Sequence, residues 1–341
     1  MRRKREGHAH AVRKFRWGIL GTGAIARQFV QGLRSVPEAE VFAVGSRSRA
    51  SAVKFADKRN IPRRHASYDD LASDPDVDVV YIATPHPFHA ENATLCLEAG
   101  KAVLCEKPFT VNAGEAERVI GLARERGLFL MEGMWTRFFP LMGELRRLLS
   151  AGVIGEPRML TADFGFRDEF DPRSRKFDPG LGGGALLDVG VYCISLASSL
   201  FGRPSEVAGA GHLGQTGVDE QSAAILVHDG GRLSVLCFAT RTGTPQEATV
   251  MGTEGYVKIH SNWWRPRAMT LHRPGEKEEL IEVPITGNGF NYEAAEVMRC
   301  LDEGRTESDV MPLDETISVM RAMDDLRAAW DFKYPSEEDA S

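Results

Sequence analysis

The chain has 341 residues, 43% hydrophobic and 26% charged, and its 42 Lys and Arg against 48 Asp and Glu give a formal net charge of -6. That length allows two packed cores, because single cores stop growing at roughly 250–300 residues. The acidic balance argues against nucleic acid as the main partner, since phosphate binding calls for a basic surface. No apolar run approaches the roughly 20 residues needed to cross a bilayer, so no membrane partner is expected.

Residues 1–14 are rich in Arg, Lys and His without an apolar core, which reads as a solvated, disordered tail rather than a secretory signal. Strands over residues 16–20, 41–45, 77–83, 102–105 and 128–131 then alternate with helices over 22–33, 48–59, 88–97 and 116–126. Strands alternating with helices imply right-handed βαβ crossovers and a parallel sheet. From about 157 to 284 the chain is mostly strands, eight runs from MLTADFGF to ELIEVP. Asp229-Gly230-Gly231 and Thr253-Glu254-Gly255 are hairpin turns between them. The alternation in SAAILVHD and SVLCFAT predicts a sheet with one covered and one free face. A helix over 184–200 interrupts this region, and helices over 292–301 and 313–330 close the chain.

The expected architecture is an α/β Rossmann-type domain with a parallel sheet over residues 15–135. An α+β domain with a large open, mainly antiparallel sheet follows over 136–311, for substrate binding and dimerisation. The helix at about 312–332 is expected to pack back on the first domain. Five widely spaced cysteines, Cys96, Cys105, Cys193, Cys237 and Cys300, form no CxxC or Cys/His cluster. They suggest neither a disulfide framework nor a structural metal, and a reducing cytoplasm fits best.

Immediately after the first strand comes Gly21-Thr22-Gly23-Ala24-Ile25-Ala26, a GxGxxA turn opening a helix. Gly21 permits the tight turn, Gly23 lets a pyrophosphate approach the backbone, and the helix N-terminus faces the anion. The second strand ends in Gly45-Ser46-Arg47-Ser48-Arg49, with no acid for the ribose hydroxyls of NAD. Arg47 can instead pair with a 2′-phosphate, with Ser46 or Ser48 donating, which favours NADP(H) while leaving NAD(H) open.

Two further segments carry chemistry. Cys105-Glu106-Lys107-Pro108 lies at the carboxyl end of a parallel strand, where open α/β sheets bind ligands. Downstream, a Gly-rich turn leads into Asp188-Val189-Gly190-Val191-Tyr192, and a helix there puts Asp188 and Tyr192 on one face. A tyrosine acts as a general acid where a cation such as Lys107 stabilises its phenolate and lowers its pKa.

This combination, GxGxxA after a first strand, EKP near residue 107 and GGGALLDVGVY near residue 190, resembles the Gfo/Idh/MocA family of NAD(P)-dependent oxidoreductases over nearly the whole chain. Many members carry His at the position of Tyr192. The Tyr form, with Met131-Glu132-Gly133-Met134-Trp135-Thr136-Arg137-Phe138-Phe139-Pro140, looks like the branch of dimeric dihydrodiol dehydrogenases and NADP-dependent xylose dehydrogenases. The resemblance implies that Tyr192 exchanges a proton with the substrate oxygen, assisted by Lys107, while Asp188 orients substrate or Tyr192. It implies that Thr84, Pro85, His86 and His89 line the cofactor's nicotinamide side together with Glu106, and that Trp135 and Phe164 wall the pocket; Trp263, Trp264 and Phe290 are candidates to close it on aromatic character alone. His86 and His89 lack a third ligand nearby, so no metal is expected.

The expected activity is therefore hydride transfer between nicotinamide C4 and a carbonyl or alcohol carbon of a sugar, diol or dicarbonyl. The expected assembly is a homodimer through the open sheet. An NAD-dependent sugar or inositol dehydrogenase and a non-catalytic dinucleotide-binding regulator are the alternatives. A pure sensor has no need of Lys107 and Tyr192 together.

Overall fold

Short runs of β-branched and aromatic residues, apolar on both faces, build the centre of the first sheet, as expected for strands covered by helices on both sides. The computed structural model of the chain describes residues 14–338, so the expectation for the basic tail falls almost wholly outside the described residues. The strands are β1 (Phe15–Leu20), β2 (Ala39–Gly45), β3 (Arg63–His65), β4 (Val79–Ile82), β5 (Ala102–Glu106) and β6 (Leu130–Gly133). They pair in parallel in the order β3-β2-β1-β4-β5-β6. Helices α1 (Ala24–Leu33), α2 (Arg49–Asp57), α3 (Tyr68–Ala72), α4 (His89–Glu98) and α5 (Ala113–Arg126) make the connections. The strand order reverses between β1 and β4. In sheets of this kind that switch point opens a crevice at the carboxyl ends of the strands.

β3, α3 and α6 (Pro140–Ser150) are additions to the sequence expectation. The second sheet contains all eight expected strands: β7 (Pro157–Gly165), β8 (Pro204–Leu213), β9 (Asp219–His228), β10 (Arg232–Ala239), β11 (Ala248–Gly252), β12 (Tyr256–Ile259), β13 (Ala268–His272) and β14 (Glu279–Glu282). Their order is β14-β13-β12-β11-β7-β10-β9-β8, antiparallel except where β7 runs parallel to β10. Leu160, Ala162, Ala224, Leu226, Leu236 and Val250 on one face are buried. Helix α7 (Val191–Phe201) packs on that face against β7 and β10.

One expectation needs correction. The stretch Pro179–Phe201 is long and apolar enough to cross a membrane by length and composition, although no such run stood out from the sequence. It is 89% buried inside the fold over its most apolar window, as a core helix is. Helix α8 (Phe290–Asp302) then packs on α1, and α9 (Leu313–Ala329) packs on α5, α7 and β8 before the short α10 (Pro335–Glu338). Asp324 of α9 accepts from the backbone N–H of Ala113 at 2.8 Å, and Thr316 donates to the buried Glu132 at 3.1 Å. Through these bonds α9 ties the end of the chain to the first sheet.

Candidate active site

The crevice begins at Gly21, whose φ of +107° only glycine adopts without strain. A Cβ there would meet the carbonyl oxygen of Ala83 at 2.9 Å. At Gly23, by contrast, an added Cβ would meet nothing closer than 3.9 Å, so the space above the turn is open. Gly23 is the N-cap of α1 and no side chain caps it, which leaves N–H groups at the helix start facing the crevice beside Thr22, Ala24 and Ile25. An uncapped helix start over an open glycine turn suits a phosphate group. At the end of β2, Ser46 is buried and Arg47 exposed. The Arg47 guanidinium lies 5.9 Å from the Phe88 ring centroid and beside the Tyr68 hydroxyl. Ser48 is occupied in capping α2, accepting from Ser51 N at 3.2 Å.

Beyond β4, Thr84 and Pro85 lead to His86, whose Nδ1 lies 3.2 Å from the carbonyl oxygen of Gly182. His89 is fully buried, with Nδ1 2.8 Å from the carbonyl of Pro108 and Nε2 2.9 Å from that of Thr84. Both of its nitrogens are engaged with backbone. The sequence placed His89 on the cofactor's face; here it braces the end of β4 against the EKP turn, whose Lys107–Pro108 bond is cis. Burial lowers the pKa of both imidazoles, His86 well below the usual range, so His86 stands neutral. Among the described residues no group of three or more His, Cys, Asp and Glu gathers as a metal site.

Asp188 and Tyr192 come from the same buried segment, Asp188 in a π-helical turn (Leu186–Gly190) and Tyr192 in the first turn of α7. The glycines before it are dictated by space: Gly184 has φ +118°, and a Cβ would lie 2.3 Å from Asp219 Oδ1. Lys107 reaches across from β5 and donates to the Asp188 carbonyl at 2.7 Å and to its Oδ1 at 3.4 Å. Arg175 donates to the same Oδ1 at 3.1 Å. Burial alone would raise the pKa of Asp188, but Lys107 and Arg175 overcome it and hold the carboxyl well below the usual carboxylate range. The site therefore contains a permanent anion clasped by two cations.

The Tyr192 hydroxyl accepts from Trp135 Nε1 at 3.0 Å, and its own hydrogen has no acceptor among the described residues. The Lys107 ammonium stands 4.8 Å from the ring centroid, over the face of the ring. From the sequence, Lys107 is expected to lower the phenol's pKa. Instead burial, reinforced by Glu106, raises it well above the usual tyrosine range, so the group is a neutral proton donor. Glu106 is buried too and accepts from the Tyr81 hydroxyl and from the N–H of Lys107.

Tyr192, Lys107 and Asp188 line a cavity of about 220 Å³ together with Phe164, Phe166, Arg175, Lys176, Val189 and Trp264. Phe164 and Trp264 stack at 5.2 Å and 5° to form a flat aromatic wall. Trp135 and Phe290 stand behind the cavity, stacked on each other at 4.5 Å, and fix the hydroxyl rather than line the opening. Arg137 locks this layer in place, donating to Ser195 Oγ and O of α7 and to Glu315 of α9. Trp263 donates to the carbonyl of Asp163 and is buried in the core. Arg175 and Lys176 were missed from sequence, because they sit in an irregular loop with no periodic signal.

Residues 15–134 match a family described as an oxidoreductase family with an NAD-binding Rossmann fold, and residues 142–258 match the Gfo/Idh/MocA C-terminal domain. The chain belongs to the Gfo/Idh/MocA oxidoreductase family. Among similar proteins, the trans-1,2-dihydrobenzene-1,2-diol dehydrogenase of Mus musculus is 39% identical over 95% of this chain and 99% of its own, and that of Homo sapiens is 38% identical over the same shares. The aldose-aldose oxidoreductase of Caulobacter crescentus, complexed with glycerol, superposes with a TM-score of 0.86 at 25% identity over 94% of this chain and 98% of that one. KijD10, a 3-ketoreductase of Actinomadura kijaniata in complex with NADP and TDP-benzene, gives 0.81 at 28% identity over 92% and 97%.

Proposed function

We propose that this family member is an NADP(H)-preferring dehydrogenase or reductase that interconverts a carbonyl and an alcohol on a sugar, diol or dicarbonyl. The observation that carries this reading is the Tyr192 hydroxyl, a neutral phenol at a cavity wall whose oxygen is held by Trp135 and whose hydrogen is unspent. A group so placed donates its proton to the oxygen of a carbonyl compound as that oxygen gains charge. Gly21, Gly23 and the start of α1 would hold the pyrophosphate, and Ser46 and Arg47 a 2′-phosphate. The open turn and the exposed guanidinium at the end of β2 support that fit. Bound there, a nicotinamide dinucleotide supplies or removes the hydride.

Lys107 holds a positive charge over the Tyr192 ring, which favours the phenolate left after the proton has gone. Asp188 keeps Lys107 and Arg175 in place at the cavity rim. The Phe164–Trp264 wall suits the flat C–H face of a sugar or an aromatic ring, and Arg175 and Lys176 suit hydroxyl or carbonyl oxygens. The diol, aldose and keto-sugar chemistry named for the similar proteins supports the same substrate classes.

The free face of the second sheet supports a homodimer. Met159, Ile225 and Val235 there are 39%, 49% and 37% exposed, and Val235 pairs with both Ile225 and Thr161 across three adjacent strands. An apolar row of that kind is what a second copy of this face would cover. The unpaired cysteines, with Cys237 exposed on the same sheet, fit a reducing cytoplasm. The deciding experiment follows nicotinamide absorbance with NADPH or NADH against aldoses, ketoses, vicinal diketones and, with the oxidised cofactors, cyclic diols. NADPH-linked turnover of at least one class is expected. Stoichiometric NADPH binding with no turnover across the panel refutes the reading in favour of a sensor.

A further inference from the structure

Glu293, on α8, has no place in the chemistry above, yet its side chain is fully buried and neither carboxyl oxygen meets a hydrogen-bond partner among the described residues. An added Cβ on Gly133 would lie 3.6 Å from Glu293 Oε2 and 3.5 Å from the Cα of Glu106, which places the carboxyl at the carboxyl ends of β5 and β6. Three residues earlier on the same helix, Phe290 stacks on Trp135, which holds the Tyr192 hydroxyl. A bare carboxylate does not persist unpaired in such an interior; it keeps its proton or shares one.

We propose that Glu293 and Glu106 form a buried pair of acids that carries one negative charge rather than two, Glu293 keeping its proton, and that the charge on this pair sets how tightly the site holds the oxidised nicotinamide, which is cationic, relative to the reduced ring, which is neutral. This rests on the functional reading above. Burial raises both carboxyls, and the charge on Glu106 raises Glu293 further. The groups facing the pair are Tyr81 from β4, Cys105 from β5, Lys107 just after it, Arg175 from the loop after β7 and Tyr192 from the start of α7, with Asp188 held between Lys107 and Arg175. Tyr81, Cys105 and Tyr192 are neutral, all raised by burial. Lys107 and Arg175 balance Asp188 and one charge on the pair. A second charge, on Glu293, is left without a counterion. To exchange hydride with a substrate bonded to Tyr192, the reacting ring must lie at this end of the crevice, where its positive charge supplies the missing balance.

The test measures the dissociation constants of NADP+ and NADPH by fluorescence from pH 6 to 10 in the wild type and in Glu293→Gln. In the wild type the ratio of the NADP+ constant to the NADPH constant falls by about tenfold or more as pH rises, the effect of one charge several ångströms from the ring at an effective dielectric of about 20. In Glu293→Gln the ratio stays level. A wild type with a level ratio, or a variant with an undiminished fall, overturns the proposal. Wild type protein that binds neither cofactor overturns the functional reading itself, and with it the tuning. Should the variant not fold, infrared spectra of wild type protein carrying 13C-labelled glutamate decide instead. NADP+ but not NADPH should remove intensity from the protonated-carboxyl band, and identical spectra with the two cofactors overturn the proposal.

Discussion

Replacing Tyr192 with Phe isolates the proton donor from everything else the side chain does. The ring keeps its packing on Phe164 at 5.4 Å and its place beneath the Lys107 ammonium, so only the hydroxyl is lost. General acid catalysis by a positioned side chain contributes about 10²–10⁴-fold, or about 2.7–5.4 kcal/mol of barrier. That is the expected fall in kcat/KM for NADPH-dependent carbonyl reduction. The structural cost is smaller. Trp135 Nε1 loses the acceptor it holds at 3.0 Å, and a buried unsatisfied donor costs about 1–3 kcal/mol, which a melt reads as a few degrees in Tm. That penalty is the same with and without dinucleotide, so NADPH affinity stays within about twofold.

The assay pairs initial rates on the best substrate with NADPH binding by fluorescence and with a thermal melt. A folded variant that binds NADPH and retains kcat/KM within about threefold of wild type refutes the assignment. The pH dependence adds a second check. Because burial and Glu106 hold the phenol above the ordinary tyrosine range, the donor stays protonated throughout the neutral and mildly alkaline range. Reduction should show no loss there from ionisation of Tyr192.

Arg47→Ala should lower kcat/KM with NADPH by about 10–150-fold while leaving NADH use nearly unchanged, since a charge-assisted bond is worth about 1.5–3 kcal/mol; equal losses with both cofactors would refute its 2′-phosphate role. Ile225→Glu puts a charge into the exposed apolar row and should convert a dimer to a monomer in sedimentation at micromolar concentration, and a wild type already monomeric there refutes the dimer. Asp219, fully buried and accepting from Leu186 N at 2.8 Å, is pushed up to about 7 by burial, from 3.8 in the unfolded chain. Between those values the folded state keeps a proton that the unfolded state has lost, so this group makes stability fall as pH rises from about 4 to about 7. Asp219→Asn should flatten that part of the Tm profile, and an unchanged slope would refute the assignment.

The two sheets and the glycine fingerprint were legible because each signal is local: β-branched runs for the strands of the first sheet, glycines where the backbone must turn, and alternation along β9 and β10 of the second. What escaped was either short or masked. β3 and α3 are three and five residues long, too short for any period to show. Helix α6 has Leu141, Met142, Leu145 and Leu148 buried at helical spacing behind a Pro at its start, but it follows directly on the aromatic-rich run over residues 135–139, which blurs where the helical period begins. The site was legible in its members and not in its wiring. EKP and DVGVY mark Lys107, Asp188 and Tyr192, but whether the ammonium meets the phenol oxygen or the ring depends on how two sheets are joined. Arg175 and Glu293 gave no motif at all, because one belongs to an irregular loop and the other is a helix glutamate that sequence alone cannot distinguish from a solvated one.

The same wiring separates what is fixed in the site from what can vary. Tyr192 opens a helix buried along most of its length, and its hydroxyl is held by a tryptophan that Arg137 and α9 support, so the hydroxyl has little room to adjust. The other wall is built differently. Arg175 and Lys176 come from the loop after β7, half-exposed or partly exposed, each tied to a single carboxylate, Asp188 or Asp168. Substitutions in that loop can alter the shape and charge of the cavity without displacing Tyr192. Charge balance sets the limit: Arg175 is one of two cations clasping Asp188, and losing it leaves a buried anion short of partners. Lys176 is free of that duty, and it is therefore the position at which specificity can change at the lowest cost to the rest of the site.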